Sequence, residues 1–193
     1  MYEYIQGQLV EATPSYAVID CHGVGYMIEI TVNTYSRIKD LPQVKLLVHY
    51  VVREDAHLLF GFYEVAEREM FRMLIAISGV GVNTARVMLS SLTVDELREA
   101  VASKNVKKVQ SVKGIGAKGA QRIILELQDK IGKMEGNVLN TLSESNKNAE
   151  EALSALTMLG FPKAAADKVL QQLAKENPDA TVEKLIKLAL GKL

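Results

Sequence analysis

The chain has 193 residues, 48% hydrophobic and 24% charged, with a formal net charge of zero. That length serves one large domain or two to three small ones, and the composition suits a soluble globular protein rather than a disordered one. There is no apolar run of membrane-spanning length and no basic-then-apolar leader, so no membrane contact is expected, and the lone Cys21 points to a reducing cytoplasm.

Residues 1–63 read as strands. Val24, Tyr26, Ile28, Ile30 and Val32 alternate with Gly25, Met27, Glu29 and Thr31, and a second alternation runs through Val44, Leu46, Val48, Tyr50 and Val52. Strands are expected at 2–10, 15–21, 24–33, 44–52 and 57–63, with turns at Thr13-Pro14, His22-Gly23 and Arg53–Ala56. A short helix is expected near Thr34–Leu41. Five short strands in this length predict a small barrel of the OB-fold kind.

Residues 64–135 switch to helical spacing. Phe71, Leu74, Ile75 and Ser78 form one face, and Thr93 with Glu96 makes a capping box. A short helix is expected at Asn105–Val112 and a long one at Ala117–Lys133. Two glycine hairpins stand 35 residues apart: Ile77-Ser78-Gly79-Val80-Gly81 and Val112-Lys113-Gly114-Ile115-Gly116. Aligning Gly79 with Gly114 also aligns Gly81 with Gly116, Ala85 with Ala120, and Met88-Leu89 with Ile123-Ile124, which marks an internal repeat. Glycine lets a backbone turn tightly and approach a ligand with no Cβ in the way. The helix that follows presents unpaired N–H groups and the positive end of its dipole, a phosphate-binding arrangement.

Residues 136–148 are polar and rich in Asn and Ser, and read as a flexible linker. Asn148 with Glu151 would cap a new helix, and three helices are expected near 149–159, 163–174 and 181–190. Gly160 stops the first of these and Pro162 starts the second. The predicted whole is an α+β multidomain chain. It has a barrel at 1–63, a tandem helix-hairpin-helix domain at 64–135, a linker at 136–148 and a UBA-like three-helix docking module at 149–193.

Charge is distributed unevenly. Residues 1–63 are net −3, residues 64–135 net +3 and residues 136–193 neutral. The positive excess therefore lies with the hairpins, as backbone binding requires. In the first hairpin the expected contacts are Gly79, Val80, Gly81, Asn83, Thr84 and Arg86. In the second they are Lys113, Gly114, Ile115, Gly116, Lys118 and Arg122. Glu54 and Asp55 occupy a turn between apolar strands, which taken alone reads as solvated and beside DNA would repel phosphates. Met158-Leu159-Gly160-Phe161-Pro162 is core and cap, or an exposed docking patch. His22, His49 and His57 are scattered and make no metal set with one cysteine, so neither metal nor cofactor is expected.

The run Val51-Val52-Arg53-Glu54-Asp55-Ala56-His57-Leu58-Leu59-Phe60-Gly61-Phe62, together with the two hairpins, resembles the RuvA family, whose members recognise the Holliday junction in bacterial branch migration. The likeness spans the whole chain. It implies a homotetramer, or two tetramers face to face, with one junction arm on each subunit and hairpin amides on minor-groove phosphates. It implies that Glu54 and Asp55 form an acidic pin at the crossover. It also implies that the C-terminal helices bind the RuvB ring ATPase, with Leu159 and Phe161 as contacts, and that the RuvC resolvase is a second partner. The family's first hairpin often continues Pro-Lys where this chain has Val82-Asn83. Arg86, a helical turn further on, is the replacement charge on offer.

Rival readings are a helix-hairpin-helix glycosylase or nuclease, a general DNA binder and a single-strand binder that uses the barrel. Asp129 and Glu135 would be the glycosylase carboxylates, but no pocket-forming segment follows them and no carboxylates cluster for metal-dependent cleavage. The barrel is net acidic, unlike single-strand-binding barrels. No Gly-x-x-x-x-Gly-Lys-Ser/Thr occurs; Gly114 to Gly119 has the wrong spacing and is followed by Ala120-Gln121, so no ATP hydrolysis is expected from this chain.

Overall fold

A computed structural model describes residues 1–139, 144–177 and 180–193, with side chains described as far as residue 131 and again from 148. The strands are β1 (Tyr4–Ala12), β2 (Tyr16–Cys21), β3 (Val24–Ile30), β4 (Gln43–Val52) and β5 (His57–Phe62). They close into a barrel in the order β1-β2-β3-β5-β4, with β3 and β5 parallel and the other pairs antiparallel. Period-two alternation puts Ile5, Ala17, Ile19, Ile28, Ile30, Val44, Leu46 and Val48 inside. A Cβ on Gly7 would overlap the Asp20 carbonyl, and one on Gly61 would strike Ile28, so glycine permits close strand approach at both.

The chain leaves the sheet earlier than the alternation predicts. Thr31 is an N-cap whose hydroxyl accepts from Thr34 N, and helix α1 runs Val32–Ile38. Val32, expected on a strand, is exposed on the first turn of α1. The cap outweighs the strand preference of one valine.

Helices α2 (Val65–Ile75), α3 (Val82–Ser91), α4 (Val94–Ala102), α5 (Val106–Gln110) and α6 (Ala117–Leu139) follow. The Thr93–Glu96 capping box forms as predicted, and Asn105 caps α5. Ser78 does not share the core face of Phe71 and Leu74. Because α2 ends at Ile75, the helical period stops short, and Ile77 takes the buried place while Ser78 is exposed.

Phe60 and Phe62 leave β5 on the outer side of the barrel and meet Phe71 of α2 at ring-centroid distances of 5.3 and 4.9 Å. They belong to the core of the helical region, with Leu74, Met88, Leu97 and Leu127. Barrel and helices thus pack continuously through Met1–Ile131, which forms one compact unit. The second unit, Gly132–Leu193, contains α7 (Glu144–Met158), α8 (Lys163–Glu176) and α9 (Val182–Leu190) around Ala152, Leu156, Leu170, Leu173 and Leu185.

Of the segment read as a flexible linker, residues 136–139 and 144–148 are helical, and 140–143 lie outside the described residues. Asn148 is not a cap. It sits inside α7 and its Nδ2 donates to the Ala180 carbonyl at 3.1 Å. Gly160 takes φ +96° after α7, and α8 begins at Lys163 as expected, with Pro162 as its N-cap residue rather than its first helical one.

Candidate nucleic-acid interface

The sequence repeat is also a repeat of geometry. Gly79 has φ +86° and Gly114 φ +90°, a left-handed conformation that costs other residues about 1–2 kcal/mol. In the first hairpin Val80 N donates to Ile77 O at 3.0 Å and Ala85 N to Gly81 O at 2.9 Å. In the second, Ile115 N donates to Val112 O at 3.1 Å and Ala120 N to Gly116 O at 2.9 Å. Ile77, Val112, Ala85 and Ala120 are all buried, so each hairpin is bolted to the core on both sides.

Gly81 is the N-cap residue of α3 and supplies no side chain to its orphan N–H groups. A Cβ on Gly81 or Gly116 would meet nothing within 4 Å, so both faces are open to an incoming backbone. Both hairpins line a single cleft of about 310 Å³, which includes Ser78, Gly79, Thr84, Gly114, Lys118 and Arg122. An anion held there would face N–H groups and helix dipoles from two sides.

The expected contact residues divide into four groups. Gly79, Gly81, Asn83, Thr84, Lys113, Gly114, Gly116 and Lys118 keep solvent-facing atoms at or beside the hairpins. Val80 and Ile115 are only 8% and 7% exposed; their side chains pin the hairpins to the core, which leaves their backbones to face a ligand. Arg122 reaches the cleft, but its Nη1 already donates to the Ser78 carbonyl at 3.3 Å.

Arg86 forms the fourth group. Its guanidinium lies 2.8 Å from Glu29 of β3, and its Nη1 donates to the Ser15 carbonyl at 3.1 Å.

Glu54 and Asp55 are exposed at the β4–β5 turn, closed by Arg53 N donating to Ala56 O at 2.8 Å. Just below, the Tyr50 hydroxyl and His57 Nδ1 share a 2.8 Å hydrogen bond. In the second unit, Leu159 is 64% exposed, whereas Phe161 is half-buried against the bundle core.

Sequence reasoning passed over Ser78, Glu29 and Glu67. Glu67 of α2 is buried and accepts from the Thr31 and Thr34 hydroxyls, the latter at 2.7 Å. Burial pushes its carboxyl above the ordinary value, against the pull of those hydrogen bonds, and the Glu64 charge adds to the rise. Its position four residues before Phe71, on the apolar stripe, was the available signal. Glu29 gave none, being an ordinary polar residue in an alternating strand.

Among the described residues no group of three or more His, Cys, Asp or Glu could hold a metal ion, and no helix is long and apolar enough to cross a membrane. Asp129 is exposed on α6, and the side chain of Glu135 lies outside the described residues.

A closed five-stranded barrel joined to two glycine hairpins in tandem defines a barrel-supported helix-hairpin-helix protein. Family models agree: RuvA N terminal domain matches residues 1–61, SAM-like Helix-hairpin-helix tandem residues 71–129, and RuvA C-terminal domain residues 147–193. The chain is 52% identical to a protein of Christiangramia forsetii, over 100% of both chains. Identities to proteins of Bacteroides thetaiotaomicron and Flavobacterium psychrophilum are 47% and 46%, again over 100% of each chain. All three relatives are named Holliday junction branch migration complex subunit RuvA. This chain belongs to the RuvA family.

Proposed function

We propose that the chain is a non-catalytic subunit that binds the Holliday junction and serves branch migration. The observation that carries this reading is the pair of hairpins with matching φ, matching hydrogen bonds and one shared cleft. Two amide-rich turns held by one core suit successive phosphates of a duplex arm. Phosphate contacts carry no base information, so binding would be independent of sequence. The full-length relatives bearing the junction name support the substrate.

The finer parts of the reading follow from the family resemblance. In a homotetramer, alone or paired with a second one, each subunit would take one arm. Four copies of Glu54 and Asp55 would then meet at the crossover and repel phosphates. The C-terminal helices would dock the RuvB ATPase, with exposed Leu159 better placed for contact than Phe161, and RuvC would share the junction. The motor would be RuvB, and the complex would act in the cytoplasm.

The test is a gel shift at matched salt with an immobile four-way junction, linear duplex and single strand of the same sequence. Strong preference for the junction supports the proposal. Equal affinity for junction and duplex reduces the chain to a general duplex binder, and preference for single strand moves the site to the barrel.

A further inference from the structure

Helix α3 begins at the first hairpin, and the barrel holds it at two places. Near its C-terminal end, α1 supplies the contacts: Val32 N donates to Ser90 Oγ at 3.2 Å, and Asn33 Nδ2 donates to the Leu89 and Leu92 carbonyls. Toward its N-terminal end stands the ion pair of Arg86 with Glu29, with the Ser15 carbonyl as a second acceptor. Both charged side chains are about three-quarters buried, at 23% and 24% exposure. Glu29 Oε2 is itself buried and receives no well-aligned hydrogen bond from the described residues, so Arg86 is its compensating charge.

We infer that Arg86 and Glu29 are a positioning pair for junction recognition, rather than Arg86 being a phosphate ligand. The barrel carries the acidic turn at Glu54-Asp55, and α3 carries the N–H groups of the first hairpin. Within the one compact unit of Met1–Ile131, the pair ties α3 to β3 one helical turn from the hairpin. It thereby fixes where a DNA arm lies relative to the acidic turn. A linear duplex needs only the hairpins and does not sense that relation. A junction needs arm and crossover in register at once. The affected quantity is therefore the ratio of junction to duplex affinity. This inference rests on the junction-binding reading above.

The experiment uses the full chain and fluorescence anisotropy over a salt series, with an immobile four-way junction and a linear duplex of the same sequence. The proteins are wild type, Arg86→Gln, Glu29→Gln and the double exchange Arg86→Glu with Glu29→Arg, each checked for folding by circular dichroism. Each single variant is expected to lower the junction-to-duplex ratio roughly three- to tenfold, the range of a partly buried coupled pair, and the exchange to restore it. The salt slope of duplex binding should stay at the wild-type value in Arg86→Gln.

A phosphate ligand behaves in the opposite way. Arg86→Gln would then lower the duplex slope by about 0.9, Glu29→Gln would strengthen binding to both DNAs by freeing the arginine, and the exchange would rescue nothing. Any of these three results overturns the inference. Wild-type protein with no junction preference overturns the junction reading instead, and the duplex slope of Arg86→Gln still decides whether Arg86 touches phosphate.

Discussion

Arg122 Nη1, on α6, donates to the Ser78 carbonyl in the first hairpin at 3.3 Å. The residue sits on the helix of the second hairpin, so this bond spans the cleft and ties the two copies of the repeat together. A guanidinium carries five donors, which leaves others for phosphate. Arg122→Ala should weaken junction and linear duplex alike, about three- to tenfold, and lower the salt slope by about one. Arg122→Lys should keep the slope yet recover only part of the affinity, because an ammonium cannot bridge and bind at once. Anisotropy titrations at several salt concentrations measure both quantities.

Two glycines in each hairpin have different duties, and alanine separates them. Gly79 and Gly114 hold φ of +86° and +90°, so Gly79→Ala or Gly114→Ala should cost about 1–2 kcal/mol in urea unfolding. Gly81 and Gly116 have open space where a Cβ would go. Gly81→Ala or Gly116→Ala should change stability by less than about 0.5 kcal/mol. Each should still weaken DNA binding about tenfold, the worth of one charge-assisted contact that the methyl displaces.

The buried Glu67 predicts a pH effect. Its carboxyl is raised above 4.5, mainly by burial, so the folded state favours the protonated form. The stability it contributes is full below about 4.5 and is lost as pH rises through the folded value. In Glu67→Gln that loss disappears. The urea midpoint of the variant relative to wild type should therefore climb as pH rises above about 4.5. A difference that stays constant from pH 4 to pH 8 would rule out this account of Glu67.

Replacing Glu54 with Gln and Asp55 with Asn should affect the junction more than the duplex. Two charges about 10 Å apart in water interact by only roughly 0.4 kcal/mol, so one subunit on a linear duplex should stay within about twofold of wild type. In the proposed tetramer four converging turns would multiply the repulsion, and junction affinity should rise. Competition between labelled junction and unlabelled duplex reads the difference directly.

In the second unit, Leu159 and Phe161 should separate docking from stability. Leu159→Ser alters a mostly exposed side chain and should leave thermal unfolding unchanged while weakening capture of RuvB. Phe161→Ala removes a ring packed on the bundle core and should cost about 1–3 kcal/mol, less than a fully buried ring would. Differential scanning calorimetry and a RuvB pull-down measure the two effects.

The legible parts of this chain were those encoded by short-range periodicity. Alternation in Val44, Leu46 and Val48 placed β4, and the Thr93–Glu96 box started α4. The spacing of Gly79 and Gly81, repeated at Gly114 and Gly116, located both hairpins. Where two local signals competed, the prediction slipped: Val32 continued an alternation while Thr31 ended it with a cap. Asn148 had the chemistry of a cap, but α7 had already begun at Glu144.

The sequence by itself determined the two hairpins, the barrel strands and the apolar stripes of the helices, because each is written within a few neighbouring residues by side-chain size, backbone freedom and period. Only the tertiary structure decided that Phe60 and Phe62 would weld barrel to helices, that Glu67 would be sealed between Thr31 and Thr34, and that Arg86 would face Glu29. Those pairings join residues distant in the chain. A charge on a helix can be given a face from its period, but its partner is whatever other element packing brings to that face.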